Sequence, residues 1–292
     1  MKIAYIEKTF HQKSMDLINI CNGIIDDYQS RGYTLTLRQL YYQLVSRDII
    51  PNKQKEYSRL GSIVSDARLA GLISWNAIED RTRNVKGNSH WDNPKQIVEA
   101  AINSYRIDKW ENQPYHVEVW VEKDALVGVI SRVCSRLDVS YFSCRGYTSA
   151  SEMWKAGYYR MEGAIDNGKQ PVIIHLGDHD PSGIDMTRDI AERLALFSGY
   201  PVEVNRIALN MDQVRFYNPP PNPAKLTDSR ADGYIQIHGY ESWELDALDP
   251  DVLSDLIKDA VLELRDEDLW QDAIKKENKG IAELKKMIGE QN

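Results

Sequence analysis

Cysteine is scarce. There are three in 292 residues, Cys21, Cys134 and Cys144, far apart and with no CxxC pair. That spacing argues against a structural zinc site of paired thiolates, and the odd count argues against a disulfide framework. Buried, inert thiols in a reducing compartment are expected. Long apolar runs are also missing. The opening MKIAYIEKTFHQKS has none, so neither a signal peptide nor an N-terminal anchor is expected. No stretch approaches the roughly 20 apolar residues of a membrane helix. Repeats and low-complexity tracts are absent as well. A cytoplasmic chain with no membrane partner follows from these absences.

What is present is enough hydrophobic material, 42% of the chain, to bury real cores, over a length that allows two domains. The formal net charge is −8, but it is unevenly spread. Arg31 to Gln96 holds eleven basic residues against six acidic ones, and Glu241 to Asn292 holds fifteen acidic against seven basic. The N-terminal third can therefore offer a basic face to phosphates, with Arg59 and Arg68 as candidate contacts, while the C-terminal end is acidic.

Apolar residues in MDLINICNGIIDDYQSRG have helical spacing, ending at Gly32. LRQLYYQLVSRD, with Thr36 as N-cap, predicts a second helix and EYSRLGSIVSDARLAGLI a third. LISWNAIEDRTR alternates like a short strand or hairpin. Three small helices followed by a hairpin is the order of a winged-helix module, here residues 1–96, of the kind that lays one helix on DNA. NVKGNSHWDNPKQ reads as a connector. From residue 97 to 292 strands alternate with helices: YHVEVWVEK, then DALVGVISRVCSRL, VSYFSCRGY, SASEMWKAGYYRMEGAIDNG, QPVIIHLGDHD, SGIDMTRDIAERLALF and VEVNRIAL. This predicts an α/β sheet covered on both faces, followed by an acidic helical extension.

Ligands of such sheets bind beyond the carboxyl ends of the strands. Glu122 stands at one such tip, followed by Lys123, a further candidate DNA contact; Asp178 and Asp180 stand at another. In extended backbone Asp178 and Asp180 share a face and His179 turns away. Carboxylates that close repel unless a cation lies between them, and a hard divalent ion held by oxygens is the natural partner. The alternative for DHD is a turn with helix-capping acids. His175 and His179 are expected as neutral core groups. On α-helical geometry Leu37, Leu40, Tyr41, Leu44 and Val45 share one stripe, so Tyr41 is a core ring. Tyr42 falls off that stripe, one turn from Arg38, where it is either a packing tyrosine or a nucleophile whose phenolate a cation would favour.

RQLYY, VEKDAL and GDHDPSG together resemble the A subunit of topoisomerase VI and its meiotic double-strand-break relatives, most closely the short bacterial and mobile-element forms. Glu at one strand tip and Asp-x-Asp at another resemble a Toprim domain. The resemblance spans about Arg31 to Leu248 and implies a fold of α/β plus α+β class, a winged-helix module followed by a Toprim α/β domain. It implies Tyr42 as nucleophile, Arg38 beside it, and Glu122, Asp178 and Asp180 as Mg²⁺ ligands. Glu244 and Asp246 in SWELDALDP either add acids to that site or cap the next helix. The implied activity is Mg²⁺-dependent cleavage of double-stranded DNA with a 5′-phosphotyrosyl link, as in type IIB topoisomerases. The implied partners are a second copy of the chain, each tyrosine meeting the other protomer's acids, and a separate ATPase B-type subunit, since no ATPase segment is present here. A bacterial nucleoid, phage or mobile-element setting is also implied. Hydrolysis by metal-bound water, with Tyr42 idle, and non-catalytic DNA binding remain as alternatives. A primase is disfavoured because no CxxC is present.

Overall fold

Leu17, Ile18, Cys21, Ile24, Ile25 and Tyr28 recur at helical spacing. In the computed structural model, which describes residues 1–79 and 88–287, they form the buried stripe of α1 (Gln12–Ser30). Gly32 follows with φ of 81°, a left-handed turn that costs glycine nothing. At the start of α2 (Leu37–Ser46) the Thr36 hydroxyl accepts from the Gln39 N–H, and the Gln39 side chain accepts from the Thr36 N–H. α3 (Gln54–Leu69) packs Leu60, Val64 and Ala67 against the first two helices.

No hairpin follows within the described residues. Residues 72–79 turn and make one isolated bridge, Leu35 to Ile78. Their partner is the N-terminal arm: the Trp75 N–H donates to the Met1 carbonyl and its indole N–H to the Ile3 carbonyl. These bonds tie the segment to the arm. The expected strand's residues 80–83, including Arg81 and Arg83, lie outside the described residues, as does Lys86 of the connector.

α4 (Pro94–Ser104) contains residue 96, the expected end of the first module. The alternation then runs β1 (Tyr115–Val121), α5 (Val127–Leu137) and β2 (Ser140–Ser143). A long helical stretch follows, made of α6 (Ala150–Lys155), a π-helical Ala156–Met161 and α7 (Glu162–Asp166), opened by the Ser149 hydroxyl. β3 (Gln170–Leu176), α8 (Pro181–Ser198) and β4 (Glu203–Ala208) complete a mixed α/β fold. The four strands are parallel, in the order β2–β1–β3–β4. The chain lays β2 on one side of β1 and then crosses to lay β3 on the other. The order therefore reverses between β1 and β3, and a crevice opens beyond their carboxyl ends.

Val117, Val119 and Val121 face one core, with α5, and Trp120 faces the other, with Met186, Ile190 and Leu194 of α8. Beyond the sheet come α9 (Met211–Tyr217) and a two-residue antiparallel pair, β5 (Asn222–Pro223) and β6 (Glu241–Ser242), flanking α10 (Ala231–His238). A 3₁₀ turn, Leu245–Ala247, leads to α11 (Pro250–Leu264) and α12 (Glu267–Met287). α11 adds Leu253, Ile257 and Val261 to the β1–α5 core. Its start is fastened to the helical module: Arg31 pairs with Asp249 and Asp251, and the Tyr28 and Tyr33 hydroxyls donate to the same two carboxylates. Among the described residues no helix is long and apolar enough to cross a membrane.

Candidate active site at the switch point

The crevice between β1 and β3 carries the acids. The Glu122 N–H continues the ladder to the Leu176 carbonyl at 2.9 Å, and the Glu122 carboxylate accepts from the Asp178 N–H at 2.8 Å. Asp178 is buried and accepts from the Leu245 N–H at 2.8 Å, which joins the sheet to the 3₁₀ turn. Asp180 caps α8, accepting from the Gly183 N–H at 2.6 Å. Pro-Ser-Gly is the sequence such a start requires: Pro181 fits the first turn, and a Cβ at residue 183 would collide with the Asp178 carbonyl. The capping reading of DHD holds for Asp180. Asp180 caps the helix, and Asp178 and Asp180 line the same cavity, of about 430 Å³. His179 turns away, Nδ1 to the Tyr234 hydroxyl at 2.8 Å. Burial lowers His175 to about 3 and His179 to about 4, so both are neutral, as expected.

The opposite wall of that cavity is α2. Tyr42 lines it together with Arg38. The Arg38 guanidinium donates to the Tyr42 hydroxyl at 3.4 Å and lies 5.2 Å from its ring centre. The wheel placed Tyr42 outside the core, and this is corrected: Tyr41 and Tyr42 are both buried, at 4% and 5% exposure. α2 is covered on two sides, by α1 and α3 and by the 3₁₀ turn, so every residue from Gln39 to Val45 is buried. The expected lowering of the Tyr42 pKa is also reversed. Burial first, then the Asp246 charge, push it up to about 12, although Arg38 pulls the other way.

Arg38 is spent elsewhere. It donates to Asp246 at 2.6 Å and to Glu244 at 2.7 Å. Lys123 likewise lies among carboxylates, 2.8 Å from Asp178, 3.3 Å from Asp246 and paired with Glu244. Glu244 and Asp246 cap nothing, since Asp249 caps α11. They bind α2, through Arg38, and the strand tip, through Lys123, into one ion-pair lattice. Arg59 pairs with Glu56 on an exposed face of α3. Arg68 donates to the Trp75 carbonyl at 2.7 Å and lies 4.8 Å from that ring, so it holds the turn after α3 rather than facing outward.

One residue that motif reading passed over organises the acid loop. Arg206, on β4, donates to the carbonyls of Gly177, Asp178, Gly183 and Leu209 and to the Thr187 hydroxyl. The signal was present: an arginine inside the apolar strand VEVNRIAL must find buried acceptors. Burial lowers it to about 10, still charged at neutral pH.

The donor chemistry suits a hard cation. Glu122, Asp178 and Asp180 offer only carboxylate oxygens, and burial, followed by the charges of Asp178 and Asp180, raises Glu122 to about 7. Asp178 is raised as well, by burial against the pull of Lys123. Among the described residues no three His, Cys, Asp or Glu side chains stand grouped to hold a metal as they are. Lys123 fills the space among Asp178, Glu244 and Asp246, and Asp180 is turned to its cap.

A scan of the chain against protein-family models gives no match, and a search of curated proteins gives no significant match.

Proposed function

We propose that this chain cleaves DNA by attack of Tyr42 on a phosphodiester, in the manner of type IIB topoisomerases. One observation carries the reading: Tyr42, with Arg38 on its hydroxyl, lines one cavity with Asp178 and Asp180 of the same chain, where the resemblance implies the acids of the other protomer. The Tyr42 oxygen forms a bond to phosphorus, the bond to the 3′ oxygen breaks, and that oxygen leaves as a hydroxyl while the phenol gives up its proton. The product is a 5′-phosphotyrosyl link. Glu122, Asp178 and Asp180 would hold Mg²⁺, whose charge favours the extra negative charge on the attacked phosphate. The parallel sheet with acids at its switch point supports a Toprim-type domain. The α1–α3 trio supports a winged-helix-like module. Cutting both strands of a duplex takes two copies of Tyr42, hence a homodimer; a separate ATPase subunit would be needed for driven strand passage.

A second reading has support of its own. The raised Tyr42 pKa opposes phenolate formation and favours hydrolysis by metal-bound water. Incubation with supercoiled DNA and Mg²⁺, followed by denaturation with and without protease, separates the two. Tyrosine attack predicts cut ends that carry protein until protease is added. Free ends in both arms would refute it in favour of hydrolysis, and uncut DNA would refute both.

A further inference from the structure

Three cations around the site are committed to protein partners. Arg38 and Lys123 are held by carboxylates and Arg206 by carbonyls. Two lysines in the lining differ. Lys53 lines the Tyr42 cavity, and Lys225 lines both it and a neighbouring cavity of about 500 Å³ that contains Glu122 and Lys123. Both side chains are exposed, and among the described residues neither ammonium has an ion-pair or hydrogen-bond partner.

Their stems, in contrast, are fixed. The Tyr41 hydroxyl donates to Asn52 Oδ1 at 3.0 Å, with the Lys53 carbonyl 3.3 Å away as a second acceptor. The Asn52 amide donates across to the Pro221 carbonyl at 3.2 Å and to the Asn222 side chain. On the far side β5 pairs with β6, and the Ala224 N–H donates to the Tyr240 carbonyl at 2.8 Å. Two uncommitted positive tips thus stand on two tethered stems at the rim of a cavity whose floor is carboxylate. Such a floor repels a polyanion, so admitting one requires positive charge at the rim. Two cavities that share the wall at Lys225 suit a chain of phosphates rather than a single one.

We propose that Lys53 and Lys225 hold two phosphates of one DNA strand, Lys225 standing where the strand passes from the Tyr42 cavity to the Glu122 cavity. This rests on the DNA-cleavage reading and names the residues that would position its substrate.

The test is binding of a short labelled duplex by the full chain, in EDTA so that nothing is cut, over a series of salt concentrations. Lys53→Ala and Lys225→Ala should each lower the slope of log K against log salt by about 0.9, and the double variant by about twice that. Lys225→Arg should keep the wild-type slope. Lys258→Ala, on α11 and in neither lining, should leave the slope unchanged. Melting temperatures should match wild type, because alanine keeps the backbone carbonyls of both residues and neither ammonium has a partner among the described residues. A wild-type slope in both alanine variants would overturn the proposal while leaving the cleavage reading to its own assay. An effect of Lys53→Ala alone would overturn the role of Lys225. Absence of salt-dependent binding by the wild type would overturn the proposal and the cleavage reading together.

Discussion

Tyr41→Phe and Tyr42→Phe should move stability and activity in opposite order. The Tyr41 hydroxyl makes a 3.0 Å bond to Asn52 Oδ1, an acceptor with no other donor among the described residues. Its loss should cost about 1 kcal/mol, softened because Asn52 is only half-buried and water can reach it. The Tyr42 hydroxyl has a long 3.4 Å contact with Arg38 and faces the cavity, so its loss should cost under about 0.5 kcal/mol. Phenylalanine keeps both rings, so the edge-on contacts of Tyr41 with Tyr42 and with Tyr57, each at 5.3 Å between centres, survive either change. Urea unfolding should therefore rank Tyr41→Phe as the less stable variant. Covalent attachment to DNA should vanish in Tyr42→Phe, which has no oxygen to attack with, and persist in Tyr41→Phe at saturating DNA. Because Tyr41 steadies the stem of Lys53, that variant should bind DNA more weakly. Attachment by Tyr42→Phe, or its loss in a folded, DNA-saturated Tyr41→Phe, would refute the assignment of the nucleophile.

The pH dependence follows from buried histidines and buried acids, which act with opposite sign. His175, lowered to about 3 from 6.5, makes stability fall as pH drops below 6.5, because the unfolded chain takes the proton first; Glu122, raised from 4.5 to about 7, makes stability fall as pH rises through the same region. His179, lowered to about 4, acts with His175, and Asp178, raised by burial, acts with Glu122; in EDTA, His175→Gln should therefore shift the pH dependence between about pH 4.5 and 6.5 by up to ~1.4 kcal/mol per unit relative to wild type, toward stability that falls as pH rises, and a variant whose profile parallels wild type would contradict this. Arg206→Lys should cost at least about 2 kcal/mol in urea unfolding, since a single ammonium cannot reach the five acceptors that the guanidinium serves and leaves buried carbonyls unpaired. A cost below half of that would mean that Arg206 does not hold the acid loop.

Much of the fold was legible because its signals are local. Thr36 as a cap, Gly32 as a left-handed stop and the strand of Val117, Val119 and Val121 each depend on a few neighbouring residues. The pairing of the strand tips was legible as well, since parallel order brings Glu122 and Asp178 to one end of the sheet. The misreadings share a different cause, which is a partner far away in the chain. A helical wheel assigns α2 one buried face; residues 245–247, some two hundred positions later, cover the second face and bury Tyr42. LISWNAIE alternates like a strand, but Trp75 finds its hydrogen bonds at Met1 and Ile3.

Charge is the clearest case. Counting bases along Arg31–Gln96 marks a segment that could face DNA, yet a base can serve a phosphate only if the fold leaves it free. Arg38 looked free and is held by Glu244 and Asp246; Lys123 looked free and is held by those two and Asp178; Arg68 is held by a carbonyl. The acidic surplus of the C-terminal segment is therefore not only a solvated tail charge, because its Glu244 and Asp246 return to pair with Arg38 of α2 and with Lys123. Burial, and after it the Asp246 charge, raise the Tyr42 pKa against the pull of Arg38, so the turn that covers the second face of α2 also opposes the phenolate. Among the described residues no carboxylate pairs with Lys53 or Lys225, and this is why the proposal above gives the phosphates to these two rather than to Arg38 or Lys123.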